Sequence, residues 1–309
     1  MLKKIVFMGT PIFAVPILKS LYQNGYHVSV VYTQPPQKSK RGQRVNKSPI
    51  QGVSEILNIE CRTPISLKDN KEEFNYLQKL NADIAIVVAY GQIIPKEILK
   101  LTKKGFINIH ASLLPKWRGA APIQRSIMNL DKQTGISIMK INQNLDTGAL
   151  ANSYKLDIGE HDNAEIISGK LSSLAAEKIL DNIDDILEDK AIFKEQNNDE
   201  VTYAKKIEKL EGKINWNNLS KSIIGKINGL FPSPGAWFSY NGERYKVLKA
   251  ELGNATGKAG EVISDHLEIC CKDKSIKILE VQRQGKRPQN INEFMLGSKI
   301  KKGSKLENV

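Results

Sequence analysis

The chain has 309 residues, enough for two domains, and its 40% apolar and 26% charged residues exclude a disordered or fibrous protein. Its 46 Lys and Arg against 33 Asp and Glu give a formal charge of +13, which points to a polyanionic partner. Three cysteines, Cys61, Cys270 and Cys271, make no disulfide framework, and no Cys/His spacing resembles a zinc site, so a reducing compartment and no metal are expected.

An apolar run over 4–8 predicts a first strand. It is too short for a signal-peptide core or a membrane span, and the protein is read as cytoplasmic. Gly9-Thr10-Pro11 turns the chain into a helix over 12–24 that stops at Gly25, and a second strand follows over 27–33. This βαβ opening lacks the G-x-G-x-x-G fingerprint, which removes the main support for a nicotinamide dehydrogenase.

Residues 34–49 hold Lys38, Lys40, Arg41, Arg44 and Lys47 with no acid, between Pro35-Pro36 and Pro49. The stretch lacks periodicity and reads as a solvated loop or as an electrostatic clamp on a phosphate backbone. Helices are expected near 50–57 and 71–80, with a short strand over 59–63 between them. Residues 82–89 are almost continuously apolar, as a central strand should be, and end in the turn Tyr90-Gly91-Gln92-Ile93-Ile94-Pro95.

The next strand begins at Phe106-Ile107-Asn108-Ile109-His110 and breaks into a loop through Ser112-Leu113-Leu114-Pro115-Lys116-Trp117-Arg118-Gly119. Strand side chains alternate, so Asn108 and His110 share a face near the strand's carboxyl end, where open α/β sheets bind ligands. The bland alternative is a satisfied core amide and a structural histidine. A helix over 120–128, a strand over 135–141 ending near Asp146, and a long helical pattern over 163–188 follow. Alternation of strand and helix predicts a Rossmann-like, doubly wound parallel sheet of the α/β class.

Residues 190–205 are polar and weakly patterned, and read as a linker between a domain over 1–189 and another over 206–309. In the latter, a helix over 219–230 precedes a hairpin, 236–240 and 245–248, turned at Asn241-Gly242. Short strands over 260–264, 267–271 and 277–281 complete a small, mostly-β, OB-like barrel. This region carries 19 Lys and Arg against 11 Asp and Glu, so its positive charge is much denser than that of the preceding 205 residues.

Asn-Ile-His-Ala-Ser-Leu-Leu-Pro at 108–115, then Arg118-Gly119 and Asp146-Thr147-Gly148, resemble the signature of the folate-dependent formyltransferases. Phe231-Pro232-Ser233-Pro234-Gly235-Ala236-Trp237 resembles a segment early in the C-terminal domain of that family. Lys40-Arg41-Gly42-Gln43-Arg44 resembles the basic insertion of its members that act on initiator tRNA.

The resemblance implies formyl transfer from 10-formyltetrahydrofolate to the free amino group of initiator methionyl-tRNA, for translation initiation. It makes Asn108, His110 and Asp146 the catalytic set. It assigns the folate pocket to Tyr90, Gly91 and Gln92 and to Ser112, Leu113, Leu114 and Pro115, and the tRNA clamp to Lys38, Lys40, Arg41, Arg44 and Lys47. Acyl transfer to an amine needs a fixed donor for the growing charge on the carbonyl oxygen, a role that suits Asn108. It also needs a group that helps the amine lose a proton, which suits His110 with Asp146. No metal and no membrane are implied, and the chain is read as a monomer. Relatives that formylate amino-sugar nucleotides share the two-domain plan, but the diffuse positive charge argues against that substrate. A non-catalytic RNA-binding protein is the third reading, and the intact Asn108, His110 and Asp146 argue against it.

Overall fold

A computed structural model describes residues 2–39 and 44–307. The chain divides into two compact units that interleave in sequence. One unit holds Met1–Gly119, Gly135–Leu156 and Ser168–Tyr203; the other holds Ala120–Thr134, Asp157–Ile167 and Ala204–Val309. The units therefore differ from the contiguous division expected at 190–205, since most of that stretch falls inside the first unit. Among the described residues, no helix is long and apolar enough to cross a membrane.

The first unit is built on a seven-stranded sheet. Its opening elements are β1 (Lys4–Gly9), α1 (Val15–Gln23), β2 (His27–Tyr32), a hairpin of β3 (Gln37–Ser39) and β4 (Arg44–Asn46), α2 (Pro49–Ile56) and β5 (Cys61–Arg62). They continue with α3 (Lys71–Leu80), β6 (Ile84–Val88), β7 (Phe106–His110) and β8 (Arg118–Gly119). After α4 (Pro122–Met128), which belongs to the second unit, come β9 (Gln133–Lys140), β10 (Leu150–Asp157), α5 (Ala164–Lys178), α6 (Leu180–Leu187) and β11 (Tyr203–Ala204). The sheet order is β10-β9-β7-β6-β1-β2-β5. Apolar side chains on β1 and β6 are buried on both faces, which is why their sequences run without alternation. Val6, Met8, Val30, Tyr32, Val87 and Phe106 share one core with Leu77 of α3.

The pairing departs from an all-parallel sheet in one respect that matters for the site. Strands β5, β2, β1, β6 and β7 run parallel, but β9 is antiparallel to β7, with Lys140 opposite Ile107 and Ser137 opposite His110. The polar pattern of β10, only partly buried, lies at the sheet's edge. The long helix expected over 163–188 is two helices, α5 and α6. Within the 34–49 stretch, β3 and β4 pair antiparallel, with Lys38 opposite Val45 and Ser39 opposite Arg44. Lys40 and Arg41, with Gly42 and Gln43, lie outside the described residues.

In the second unit, α7 (Ser220–Leu230) precedes β12 (Ala236–Tyr240), β13 (Glu243–Leu252), β14 (Glu268–Cys270), β15 (Ser275–Arg283), β16 (Gln289–Asn290) and α8 (Ile291–Leu296). The strands form an antiparallel sheet in the order β12-β13-β15-β14, with β16 on β15. Asn241 and Gly242 both have positive φ, 51° and 76°, as the tight turn between β12 and β13 requires. Residues 260–264 form isolated bridges, Glu261 to Lys305 and Val262 to Ile269, rather than a strand. The core stacks Phe238 on Tyr245 at 5.4 Å, with Trp216 and Phe294 edge-on at 5.8 Å. Gly225 and Gly229 let α7 approach α4: a Cβ at Gly225 would lie 2.7 Å from Leu130, and one at Gly229 2.6 Å from Met128.

Candidate active site

β7 delivers Asn108 and His110. Asn108 is half-buried between Val87 of β6 and Met139 of β9, on the same strand face as His110. His110 is 7% exposed. Its Nε2 lies 3.0 Å from the carbonyl of Trp117, and a carbonyl only accepts, so this nitrogen carries the proton. Nδ1 is left facing Asp146, 3.7 Å from Oδ2.

Asp146 reaches that position by an indirect route. Because β9 runs against β7, its last residue sits beside the start of β7 rather than its end. His110 lies three residues further along, about 10 Å at the usual strand rise. The 141–149 loop doubles back over that distance. Asp146 takes a left-handed conformation, φ 51°, that aspartate tolerates better than most residues. Gly148 passes so close to β9 that a Cβ there would be 1.7 Å from the Lys140 carbonyl. Inside the loop, Asn142 Oδ1 accepts from Asn144 N at 3.0 Å and from the Thr147 hydroxyl at 2.9 Å. The Asp146 carboxylate is held from outside by Gly119 N–H, which donates to Oδ2 at 2.8 Å.

Two residues absent from the expected site join this arrangement. Arg118, 4% exposed, donates through Nε and Nη2 to Gln196 Oε1 at 3.1 and 2.7 Å. Gln196 in turn donates through Nε2 to the carbonyls of Asp146 at 2.9 Å and Gly148 at 2.8 Å. The stretch read as a linker is thus packed here. Leu150 and Lys194 exchange backbone hydrogen bonds of 2.8 and 2.9 Å, and Thr202 accepts from the backbone N–H groups of Trp117 and Arg118. Arg118 was visible in the motif. Gln196 carries no sequence signal, being one polar residue among several.

The expected folate-pocket residues divide. Ser112 is fully buried and its hydroxyl donates to the Lys116 carbonyl at 2.6 Å, while Leu114 N donates to Ser137 Oγ at 3.0 Å. Both groups therefore shape the loop. Leu113 and Pro115 remain partly exposed. The Tyr90 ring belongs to the sheet core, and burial pushes its phenol well above the usual range. The Tyr90 carbonyl accepts from the Thr10 hydroxyl at 2.8 Å, and the Gly91 carbonyl from Gln34 Nε2 at 3.0 Å. Gln92 donates to the Pro64 carbonyl at 2.9 Å, while its buried Oε1 has no partner. Of the basic cluster, Lys47 is paired with Glu55 at 2.8 Å.

A strand amide beside a strand imidazole, with a carboxylate folded back against that ring, can stabilise an oxyanion and handle a proton at neighbouring points. Comparison with known proteins agrees with chemistry of that kind. Residues 3–183 match the family described as "Formyl transferase", and residues 206–299 match "Formyl transferase, C-terminal domain". The chain is 68% identical, over all of both chains, to a protein of Pelagibacter ubique named methionyl-tRNA formyltransferase. An N-formyltransferase from Helicobacter canadensis, solved with folinic acid and dTDP-3-aminofucose, superposes with a TM-score of 0.69 at 21% identity, covering 92% of this chain and 100% of that one. HypX from Aquifex aeolicus, solved with tetrahydrofolic acid, gives a TM-score of 0.67 at 16% identity over 98% of this chain, which spans about half the length of HypX. These two likenesses show the fold; the family matches and the full-length identity show more, and the chain belongs to the formyl transferase family.

Proposed function

We propose that this chain transfers the formyl group of 10-formyltetrahydrofolate to the free amino group of initiator methionyl-tRNA, in the cytoplasm and as a monomer. The observation that carries this reading is the 68% identity to the Pelagibacter protein over the whole chain. The site geometry supplies a mechanism. The amine attacks the formyl carbon, and the Asn108 amide donates to the carbonyl oxygen as its charge grows. A free α-amine has a pKa of about 7.7–8.0, so modest help exposes its lone pair. The His110–Asp146 pair receives the proton that the amine loses when the new C–N bond forms. A proton returns to the folate nitrogen as its bond to the formyl carbon breaks.

The 90–95 turn is assigned to the folate ring through its backbone groups, as the family resemblance implies. The tRNA is assigned to the basic 34–49 stretch and to the region over 206–309. In the latter a concavity is lined by Lys209, Arg244, Lys246 and Arg283. Burial pulls the Arg244 guanidinium below its ordinary range, and burial and then the charge of Arg244 do the same to Lys246. Crowded, desolvated cations of this kind favour a phosphate partner. The test is transfer of labelled formyl from 10-formyltetrahydrofolate to methionyl-tRNA by the purified protein. Transfer to an amino-sugar nucleotide, with none to methionyl-tRNA, would overturn the assignment.

A further inference from the structure

Gln196 belongs to Gln196-Asn197-Asn198-Asp199, a run whose composition marks it as solvated chain. It is nevertheless 8% exposed, and all four hydrogen-bonding positions of its amide are engaged. Arg118 fixes which way that amide points. Two guanidinium donors meet Oε1, so Nε2 must face the carbonyls of Asp146 and Gly148. The flipped amide would set donors against donors and an oxygen against two carbonyls.

We propose that Gln196 is a positioning residue for formyl transfer: it holds the 141–149 loop so that the Asp146 carboxylate stays beside His110. Three features of the loop make such a tie necessary. The loop doubles back along β7 instead of leaving its own strand at the right end. Asp146 sits in the left-handed region, φ 51°, which an aspartate visits only as a single residue and at some cost, so the turn gains from outside support. Gly148 is pressed against Lys140, so the loop has a single close-packed seat. Gln196 bonds the backbone on both sides of Thr147, and the Gly119 N–H bond to Oδ2 completes the support. The stretch over 190–203, though poor in apolar residues, thereby becomes part of the catalytic half of the chain. Asn198 extends the arrangement, accepting from Arg118 Nη2 at 3.4 Å.

The inference rests on reading Asp146 as a proton-handling group in formyl transfer, and the test separates the two. Gln196→Met keeps the length of the side chain and removes every hydrogen bond. Gln196→Glu keeps the acceptor for Arg118 but loses both donors. In the labelled-formyl assay, each should lower kcat about 10- to 100-fold, as a misplaced catalytic group does. KM for folate and for methionyl-tRNA should stay within about twofold of wild type. Combined with Asp146→Asn, Gln196→Met should add less than about twofold, because it acts through Asp146. With [15N]glycine labelling, the Gly119 amide should exchange with solvent faster in both Gln196 variants. A kcat within about twofold of wild type, losses that multiply in the double variant, or an unchanged Gly119 exchange rate would each overturn the proposal. If Gln196→Met does not fold, Gln196→Glu carries the same criteria. If the wild-type protein transfers no formyl group, the proposed function fails, while Gly119 exchange still decides whether Gln196 holds the loop.

Discussion

Asn108 and Asp146 are proposed for different parts of the reaction, and substitution of either should be costly. Removing an oxyanion donor costs about 3–4 kcal/mol of barrier, so Asn108→Ala should lower turnover at least about a hundredfold with tRNA binding intact. Asp146→Ala should do the same by freeing the His110 ring from its neighbour and leaving Gly119 N–H without its acceptor. Steady-state kinetics with a parallel tRNA-binding assay would check both; near-normal turnover in either variant would remove that residue from the reaction. Gly148→Ala belongs with them, for a steric reason. Its Cβ would overlap the Lys140 carbonyl, and backbone cannot swing aside as a side-chain tip can. A loss of about 1–3 kcal/mol of stability is expected, with turnover falling along with it. A melting curve and a rate at equal protein concentration test this. That Asn108 and His110 share a strand face was legible from alternation, while Asp146 was named only through the resemblance of Asp146-Thr147-Gly148 to the family's motif. Gln196 was not legible, because a buried glutamine and a solvated one look alike until the chain that surrounds them is folded.

At the level of elements, the parallel strands announced themselves through continuous apolar runs, and Asn241-Gly242 announced its hairpin. The direction of β9 left no mark, since burial on both faces gives the same sequence in either orientation. β10 was missed because an edge strand with one exposed face needs few apolar residues. The packing of the 190–205 stretch left no mark for the opposite reason: hydrogen bonds, not hydrophobicity, hold Lys194, Gln196 and Thr202. Trypsin should therefore spare Lys194, whose backbone pairs with Leu150. N-terminal sequencing of the first fragments decides this, and early cleavage after Lys194 would show the pairing to be weak. Within the second unit, Arg125 donates to both Glu211 oxygens and to the carbonyls of Lys205 and Lys206. The Arg125 hydrogen bonds hold the Glu211 carboxyl below its usual range. The unfolded chain then binds more protons in acid. Glu211 thus contributes stability above the ordinary glutamate range, and that contribution fades as the pH falls through the lowered value. Glu211→Gln should flatten the acid side of the plot of melting temperature against pH, and an unchanged slope would discount the pair.

Over the whole molecule, the charge of +13 sets how the enzyme meets its substrate, and the two basic regions need not contribute equally. Each cation that neutralises a phosphate adds about 0.7–0.9 to the slope of log affinity against log salt. Arg41, in the part of the loop that most resembles the tRNA-specific insertion, is proposed as such a cation. Arg41→Ala should weaken methionyl-tRNA use and reduce the slope by about that amount, while folate affinity stays near wild type. Arg41→Lys should restore function only in part, since an ammonium cannot grip phosphate at two points. Lys47 offers an internal contrast. Its ammonium already holds Glu55, so engaging a phosphate means giving up an acid partner, and an exposed pair of that kind contributes little by itself. Lys47→Ala should change the slope by less than Arg41→Ala does. In the C-terminal region, Arg244 stacks on the Trp237 ring at 4.0 Å, and Arg244→Ala should also lower the slope. Titrations of tRNA binding at several salt concentrations would rank the three variants. Equal slopes for wild type and Arg41→Ala, with a reduced slope for Arg244→Ala, would move the phosphate contacts from the loop to the C-terminal concavity. The basic loop would then be a solvated surface, and discrimination among tRNAs would have to come from elsewhere in the chain.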